Sequence, residues 1–184
     1  TELIALEACT HTLDYLMRST DIDVAQWRSI LMQVIMNLLI FQKAFNFTHN
    51  DLHTNNIMYM STPKKHIYYR YNGQYYRVPT FGKIYKIIDF GRSIFRFKGK
   101  LLCSDSYADW GDAATLYNFG EYYDSNKKEI LPNKSFDLCR LGCSMFEYPN
   151  TGTLEPPQEK DNSARAMILS WVLDDSGKNM LFKS

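Results

Sequence analysis

Residues 47 to 59 read Phe-Thr-His-Asn-Asp-Leu-His-Thr-Asn-Asn-Ile-Met-Tyr, a polar loop that leads into a short apolar run. In this stretch Asn56 follows Asp51 by five residues, and Asp89 comes thirty-eight residues after Asp51 in the run Ile87-Ile88-Asp89-Phe90-Gly91. The carboxylate oxygens of Asp and the amide oxygen of Asn are ligands that Mg²⁺ prefers, and bound Mg²⁺ commonly holds phosphates. We therefore predict one magnesium–phosphate site, provided that the chain folds these segments together.

The composition excludes several classes of function. The chain has 184 residues, enough for one sizeable core or for one lobe of a larger enzyme, and its apolar fraction of 45% is too high for disorder. A net charge of +1, with acids and bases interspersed, predicts no binding to nucleic acid or to an anionic membrane. No apolar run approaches the roughly 20 residues that a membrane helix needs. The four cysteines show no paired spacing, which favours a reducing, cytoplasmic compartment.

The first residues read as the middle of a structure. The chain opens at Thr1 with neither an initiator Met nor a signal peptide, so we expect its front part to lie elsewhere. The apolar run Glu2–Cys9 predicts a buried strand, and Thr10–Arg18 carries apolar residues at helical spacing. A strand that leads into a short helix is the expectation here.

A long helix, Asp23–Phe45, is the clearest predicted element. Asp23 can cap it, and Gln26 three residues later completes the pattern of a capping box. Apolar residues then recur at helical spacing for about five turns, which predicts the core helix of the domain. These residues are Trp27, Ile30, Leu31, Val34, Ile35, Leu38 and Leu39.

Strand patterns follow the polar loop. Asn56–Met60 predicts a short strand, and Lys83–Ile88 predicts another that runs straight into Asp89. Between them, Ile67–Tyr71 and Gln74–Val78 flank Asn72-Gly73, a hairpin signal because both turn positions need positive φ. The tyrosines of this hairpin favour cross-strand packing over a platform for bases, since no basic patch accompanies them.

The second half of the chain is less regular. From residue 92 to residue 132 no periodicity persists, apart from a possible short helix at Asp112–Phe119, and loops this long are usually functional. Ser135–Tyr148 then predicts a helix, Thr151–Asn162 a linker, and Ala164–Leu173 a last amphipathic helix.

Three motifs resemble those of the protein-kinase-like superfamily. Residues 49 to 56, His-Asn-Asp-Leu-His-Thr-Asn-Asn, resemble its catalytic loop H-x-D-L-x-x-x-N, and Asp89-Phe90-Gly91 resembles its D-F-G. Residues 137 to 142, Asp-Leu-Cys-Arg-Leu-Gly, resemble the D-x-x-S-L-G start of a late buried helix. The match runs from about Leu3 to Glu147, and the first two motifs are specific because they occur together in this order.

The resemblance implies an α+β fold, mainly α. It implies the large, C-terminal lobe of a kinase, with a β-hairpin inserted between the catalytic loop and D-F-G. The small N-terminal lobe, with its glycine-rich loop, would come from upstream sequence. The expected segments are the hinge and first helix (1–20), core helix and catalytic loop (21–60), hairpin insert (61–82), D-F-G and activation segment (83–134) and late helices (135–184).

The resemblance also implies ATP and Mg²⁺ as cofactors and a role for each motif residue. Asp51 would orient the acceptor hydroxyl as the base, while Asn56 and Asp89 would bind Mg²⁺. His49 would pin the D-F-G turn, and Asp137 would brace the backbone of the catalytic loop. His53 would either contact the γ-phosphate or fill the loop.

Nucleotide contacts are implied at four further positions. The backbone at Glu7 and Cys9 would meet the edge of the adenine, and Met58 would lie under its ring. Ile88, directly before the metal-binding acid, would complete the nucleotide site.

Departures from the family pattern leave three functions open. Asn50 stands where regulated kinases have Arg, so control by phosphorylation is not expected, and His53 replaces a Lys. No A-P-E motif closes the activation segment. The protein would be a serine/threonine kinase with a protein substrate, a choline- or aminoglycoside-like kinase of small-molecule alcohols, or a non-catalytic pseudokinase.

The tyrosine-rich hairpin resembles kinase-like proteins of large DNA viruses. A viral origin would place the protein in the host cytoplasm or in the virion.

Overall fold

Helix α2 (Val24–Phe45) is the longest element of the computed structural model, which describes residues 5–146 and 164–180. The other helices are α1 (Leu13–Ser19), α3 (Phe136–Phe146) and α4 (Ala164–Trp171). The strands are β1 (His11–Thr12), β2 (Ile57–Ser61), β3 (His66–Tyr71), β4 (Gln74–Pro79), β5 (Lys83–Ile87), β6 (Phe95–Phe97) and β7 (Lys100–Leu102). All strand pairings are antiparallel, in the order β1-β2-β5, β3-β4 and β6-β7.

The chain divides into two units. The first comprises Thr1–Asn37 and Thr54–Ile88, and the second comprises Leu38–His53 and Asp89–Ser184. The described residues thus form a mixed α and β structure with small sheets, and the kinase-lobe fold stays a prediction. The predicted linker Thr151–Asn162, the start of the first predicted strand and the end of the helix predicted to reach Tyr148 lie outside the described residues.

In the first unit, helix α2 is hydrogen-bonded to the edge of a sheet. Strand β5 is the edge of the three-stranded sheet, and the fully buried Gln33 amide accepts from the Tyr85 backbone N–H at 3.0 Å. The Asn37 amide donates to the Tyr85 carbonyl at 3.3 Å. These side chains satisfy backbone groups that an edge strand leaves unpaired. They therefore fix the register between the helix and the strand that leads to Asp89.

The capping box predicted at the start of α2 is confirmed. The Asp23 carboxylate accepts from the Gln26 N–H at 2.8 Å, and the Gln26 side chain accepts from the Asp23 N–H at 3.1 Å. The buried residues Ile30, Leu31 and Val34 form the middle of the predicted apolar stripe. By length and composition alone, α2 could also cross a membrane, contrary to the expectation that no stretch would qualify, although a core helix passes the same test.

The predicted hairpin is confirmed, with strands slightly longer than expected. Strands β3 and β4 pair over six positions, and Asn72 (φ 48°) and Gly73 (φ 81°) form the turn. Tyr69 lies opposite Tyr76, and Arg70 stacks over the Tyr75 ring at 5.5 Å. The predicted cross-strand packing of the tyrosines is therefore present only in part, since Tyr68 and Tyr75 are 70% and 75% exposed.

In the second unit, residues of the segment after D-F-G form a small core. The core residues are Ile94, Tyr107, Ala113, Tyr117 and Phe119.

Helices α3 and α4 pack closely at Gly142, where an added Cβ would come within 2.8 Å of a Val172 methyl group. The helices predicted at Ser135–Tyr148 and Ala164–Leu173 are confirmed over the described residues.

Two expectations were wrong, and one hairpin was not predicted. Residues 5 to 9 form no strand, and Leu6 is 85% exposed, because strand pairing starts only where the Thr10 N–H donates to the Tyr59 carbonyl. Asp112–Phe119 forms turns rather than a helix, since Asn118 pairs with Ile130 instead of continuing a helical ladder. The hairpin of β6 and β7 was not predicted, because its strands are too short to show alternation.

Candidate active site

Asp137 fixes the backbone of the loop that precedes Asp51. Its side chain is fully buried, and its two carboxylate oxygens accept from the His49 N–H at 2.9 Å and the Asn50 N–H at 2.8 Å. Burial raises the pKa of the Asp137 carboxyl above its usual range, while the two backbone donors and His49 act in the opposite direction. The bracing role predicted for Asp137 is confirmed.

Asn50 connects this loop to the segment that follows D-F-G. The residue is 2% exposed and has a φ of 66°, in the left-handed region that Asn tolerates better than most residues. Its amide donates to the Arg92 carbonyl at 2.9 Å and to the Thr48 hydroxyl at 3.1 Å, and it accepts from the Tyr117 hydroxyl at 2.9 Å. Sequence reasoning read Asn50 only as a missing Arg and did not find this role.

The Asp51 carboxylate lies among three groups that are or can become cationic. Arg92 Nη1 is 3.7 Å from Oδ2, Arg140 Nε is 3.9 Å from Oδ1, and His53 Nε2 is 4.0 Å from Oδ1. These distances are longer than hydrogen bonds. The Asp51 side chain is 25% exposed. A substrate group can therefore reach the carboxylate, and the predicted catalytic residues Asp51 and His53 lie side by side.

The Arg92 guanidinium faces Asp51 with one terminal nitrogen and contacts Asp112 with the other. Its second terminal nitrogen donates to the Asp112 carboxylate, and this hydrogen bond raises the pKa of Arg92 and lowers that of Asp112. The Arg92 carbonyl also accepts from the Tyr107 hydroxyl. The guanidinium is thus anchored beside Asp51 by the segment after D-F-G.

Asp89 occupies a sharp turn at the start of D-F-G. Its φ is 61°, its side chain is exposed, and Oδ1 accepts from the Gly91 N–H at 3.3 Å. The Phe90 ring packs against Phe41, Phe47 and the buried His49, with the His49 ring centroid at 5.7 Å. The predicted bracing of D-F-G by His49 agrees with this contact.

The first unit contains the other predicted site residues. Asn56 ends a short 3-10 turn, Thr54–Asn56, before β2; its side chain is 7% exposed, and its carbonyl accepts from the Ile88 N–H at 3.0 Å. Met58 lies directly opposite Lys86 in the sheet, on the less buried face. Ile88 directly follows the end of β5 and is half-buried.

Glu7 and Lys86 add charge to the same face. The Lys86 ammonium forms an ion pair with the Glu7 carboxylate. Glu7 and Met58 are thus both associated with Lys86, whereas Cys9 is a half-buried free thiol. Lys86 was not among the predicted site residues. It lies directly opposite Met58 in the sheet, and this pairing is the signal that could have identified it.

Part of this chain is similar to the sequence of a probable kinase. Over 76 residues, 38% of the chain, it is 45% identical to a probable serine/threonine-protein kinase of Dictyostelium discoideum, of which the match covers 6%. Over 93 residues, 46% of the chain, it is 29% identical to an uncharacterised protein of Caenorhabditis elegans, of which the match covers 31%. No protein-family model matches. The chain thus spans less than a third of either relative, and the similarity supports a kinase-like relation at most.

Proposed function

We propose that the protein is an ATP- and Mg²⁺-dependent phosphotransferase that acts on serine or threonine hydroxyls of a protein. The observation that supports this most directly is the loop carrying Asp51, whose backbone is fixed by the buried Asp137 while its carboxylate stays accessible. Phosphoryl transfer depends on positioning more than on covalent help from the enzyme. A rigid loop with one accessible carboxylate suits that requirement.

Asp51 acts on the acceptor hydroxyl in this proposal. A carboxylate within about 2.6–3.2 Å of the hydroxyl orients one oxygen lone pair toward the γ-phosphorus. The new O–P bond forms as the bond from the γ-phosphorus to the bridging oxygen of ADP breaks, and the hydroxyl proton passes to Asp51. The His49 ring accepts from the Asp51 backbone N–H at 3.3 Å, which helps to hold the residue in place.

Asp89 fits the proposed metal site. Its carboxylate is exposed at a turn, so Mg²⁺ can approach it without a desolvation cost to a buried charge. Bound Mg²⁺ would neutralise charge on the nucleotide phosphates. Asn56, in the first unit, is the second ligand that the kinase motif implies. Glu7, Cys9, Met58 and Ile88 are proposed to contact the nucleotide on the same basis.

Labelled phosphate transfer from ATP tests the proposal in the intact protein. With Mg²⁺ and a library of serine and threonine peptides, we expect labelled peptides. Asp51→Asn should lower kcat by about 10²- to 10⁴-fold, the usual worth of a catalytic base. Asp109→Asn is a matched control, because Asp109 is 89% exposed and its one ion pair with the described residues is to Lys127, at 4.0 Å.

Two results would reassign the function. Transfer to choline or an aminoglycoside, with no transfer to any peptide, would identify a small-molecule kinase. A protein that binds Mg·ATP but transfers phosphate to no acceptor would be a pseudokinase. Full activity of the Asp51→Asn variant would exclude Asp51 as the base.

A further inference from the structure

One face of helix α3 contacts three consecutive residues of the catalytic loop. Asp137 accepts hydrogen bonds from the backbone of His49 and Asn50. Arg140 follows three residues later and so lies on the same face of the helix. Its Nε is 3.9 Å from Oδ1 of Asp51. Helix α3 therefore both fixes the backbone of the loop and places the Arg140 guanidinium next to the Asp51 carboxylate.

The Arg140 guanidinium retains its capacity to donate hydrogen bonds. Its side chain is 36% exposed, and among residues 5–146 and 164–180 the structure shows no hydrogen bond from it. The contact with Asp51 is too long to be one. A guanidinium presents several N–H donors in a planar fork that matches the oxygens of a phosphoryl group.

Arg92 places a second guanidinium at the other oxygen of the same carboxylate. Its Nη1 is 3.7 Å from Oδ2 of Asp51, and Asp112 anchors its far side. The Asp112 side chain is 63% exposed, so water screens its charge more than that of Asp51. Arg92 is thus paired with both Asp51 and Asp112, and Arg140 adds a further positive charge beside Asp51, which favours the approach of an anion.

Two positions of the motifs that this chain resembles carry a different residue here. Arg140 stands at the serine position of the D-x-x-S-L-G pattern, and His53 stands where the catalytic loop of related kinases has Lys. The Lys of that motif is therefore absent from the loop, and α3 places a guanidinium 3.9 Å from the Asp51 carboxylate.

We propose that Arg140, together with Arg92, forms a phosphoryl-binding site beside Asp51. An acceptor hydroxyl bonded to Asp51 lies about 3–3.5 Å from the reacting phosphorus, so the phosphoryl oxygens fall within reach of a guanidinium next to that carboxylate. Arg140 stays protonated throughout and donates hydrogen bonds to these oxygens. The identification of the bound group as the γ-phosphoryl rests on the proposed function; the anion site itself does not.

Binding of inorganic phosphate tests the site without catalysis. We expect phosphate to bind the wild-type protein in a calorimetric or NMR titration, with Arg140→Gln weakening binding at least about tenfold and Arg140→Lys retaining part of it. Arg96→Gln is the control, because Arg96 is an exposed residue of β6 in the same unit. No phosphate binding by the wild type, or equal binding by Arg140→Gln and wild type, would overturn the proposal.

Steady-state kinetics of the intact protein identify the source of the phosphoryl group. If Arg140 holds the γ-phosphoryl, Arg140→Gln lowers kcat about 10³-fold with little change in KM, as loss of an arginine that stabilises the transition state does. If it holds a phosphate already present on the acceptor, KM rises for phosphorylated peptides alone. Unchanged kinetics with both kinds of peptide would contradict the proposal.

The two proposals fail in different ways. Phosphate binding that depends on Arg140, in a protein that transfers no phosphate, would retain the site and exclude the kinase. Phosphate transfer that is insensitive to Arg140→Gln would retain the kinase and exclude the site. Circular dichroism and thermal unfolding of Arg140→Gln and Arg140→Lys check that both variants are folded.

Discussion

Asn50 concentrates four hydrogen bonds in one buried side chain. It donates to the carbonyl and hydroxyl of Thr48 and to the Arg92 carbonyl, and it accepts from the Tyr117 hydroxyl. Burial raises the pKa of Tyr117 to about 12, so its hydroxyl remains a donor at neutral pH. A single residue therefore connects the loop that precedes Asp51 to the segment after D-F-G.

Asn50→Ala should destabilise the protein strongly. The change leaves buried donors and acceptors unpaired, at about 1–3 kcal/mol for each group, and it places Ala at a φ of 66°. We expect a loss of roughly 3–5 kcal/mol in the free energy of unfolding, measured by urea denaturation. Asn46→Ala separates the two causes, because Asn46 has a φ of 48° but is exposed. Equal losses in the two variants would show that the hydrogen bonds of Asn50 contribute little.

At the scale of elements, the capping box makes the start of α2 sensitive to one residue. Asp23→Ala removes the acceptor for the Gln26 N–H and should lower the free energy of unfolding by about 1 kcal/mol. Asp21→Ala, two residues earlier and outside the helix, should change it by less than about 0.5 kcal/mol. Thermal unfolding of both variants checks this, and a result in which they are equally stable would contradict the importance of the cap.

Elements were predictable where their signals are local. The cap of α2 and the Asn72-Gly73 turn each depend on two residues that are close in sequence, and both were found. The turn of β6 and β7 has the same positive φ values but uses Lys98, which rarely adopts them. The segment from residue 112 to residue 119 was misread as a helix because its fold depends on the pairing of Asn118 with Ile130, which periodicity does not show.

At the scale of the molecule, some candidate site residues belong to motifs that are local in sequence, and others lie far from them in sequence. Asp51, Asn56 and Asp89 were predicted because the motifs that they match are short and local in sequence. Arg140 as a neighbour of Asp51 was not, since the two are eighty-nine positions apart and nothing in the sequence reports a contact of that range. The sequence therefore predicts candidate residues for the chemistry, and their electrostatic surroundings become visible only in the fold.

The proposed metal site makes the stability of the whole protein depend on Mg²⁺ and ATP. A ligand that binds only the folded state at a hundred times its Kd adds about 2.7 kcal/mol to the free energy of unfolding. We expect Mg·ATP to raise the Tm of the intact protein. In Asp89→Asn the rise should disappear, while Tm without ligand should stay the same because Asp89 is exposed.

The matched control for this measurement is Asp109→Asn, another exposed carboxylate that should keep the full Mg·ATP-dependent rise. ATP with EDTA distinguishes loss of the metal from loss of the nucleotide: a small rise that is equal in wild type and Asp89→Asn would indicate that the nucleotide still binds. If Asp89→Asn kept the full Mg·ATP-dependent shift, the metal would have to be bound by other residues. The D-F-G resemblance would then not identify a metal ligand in this chain.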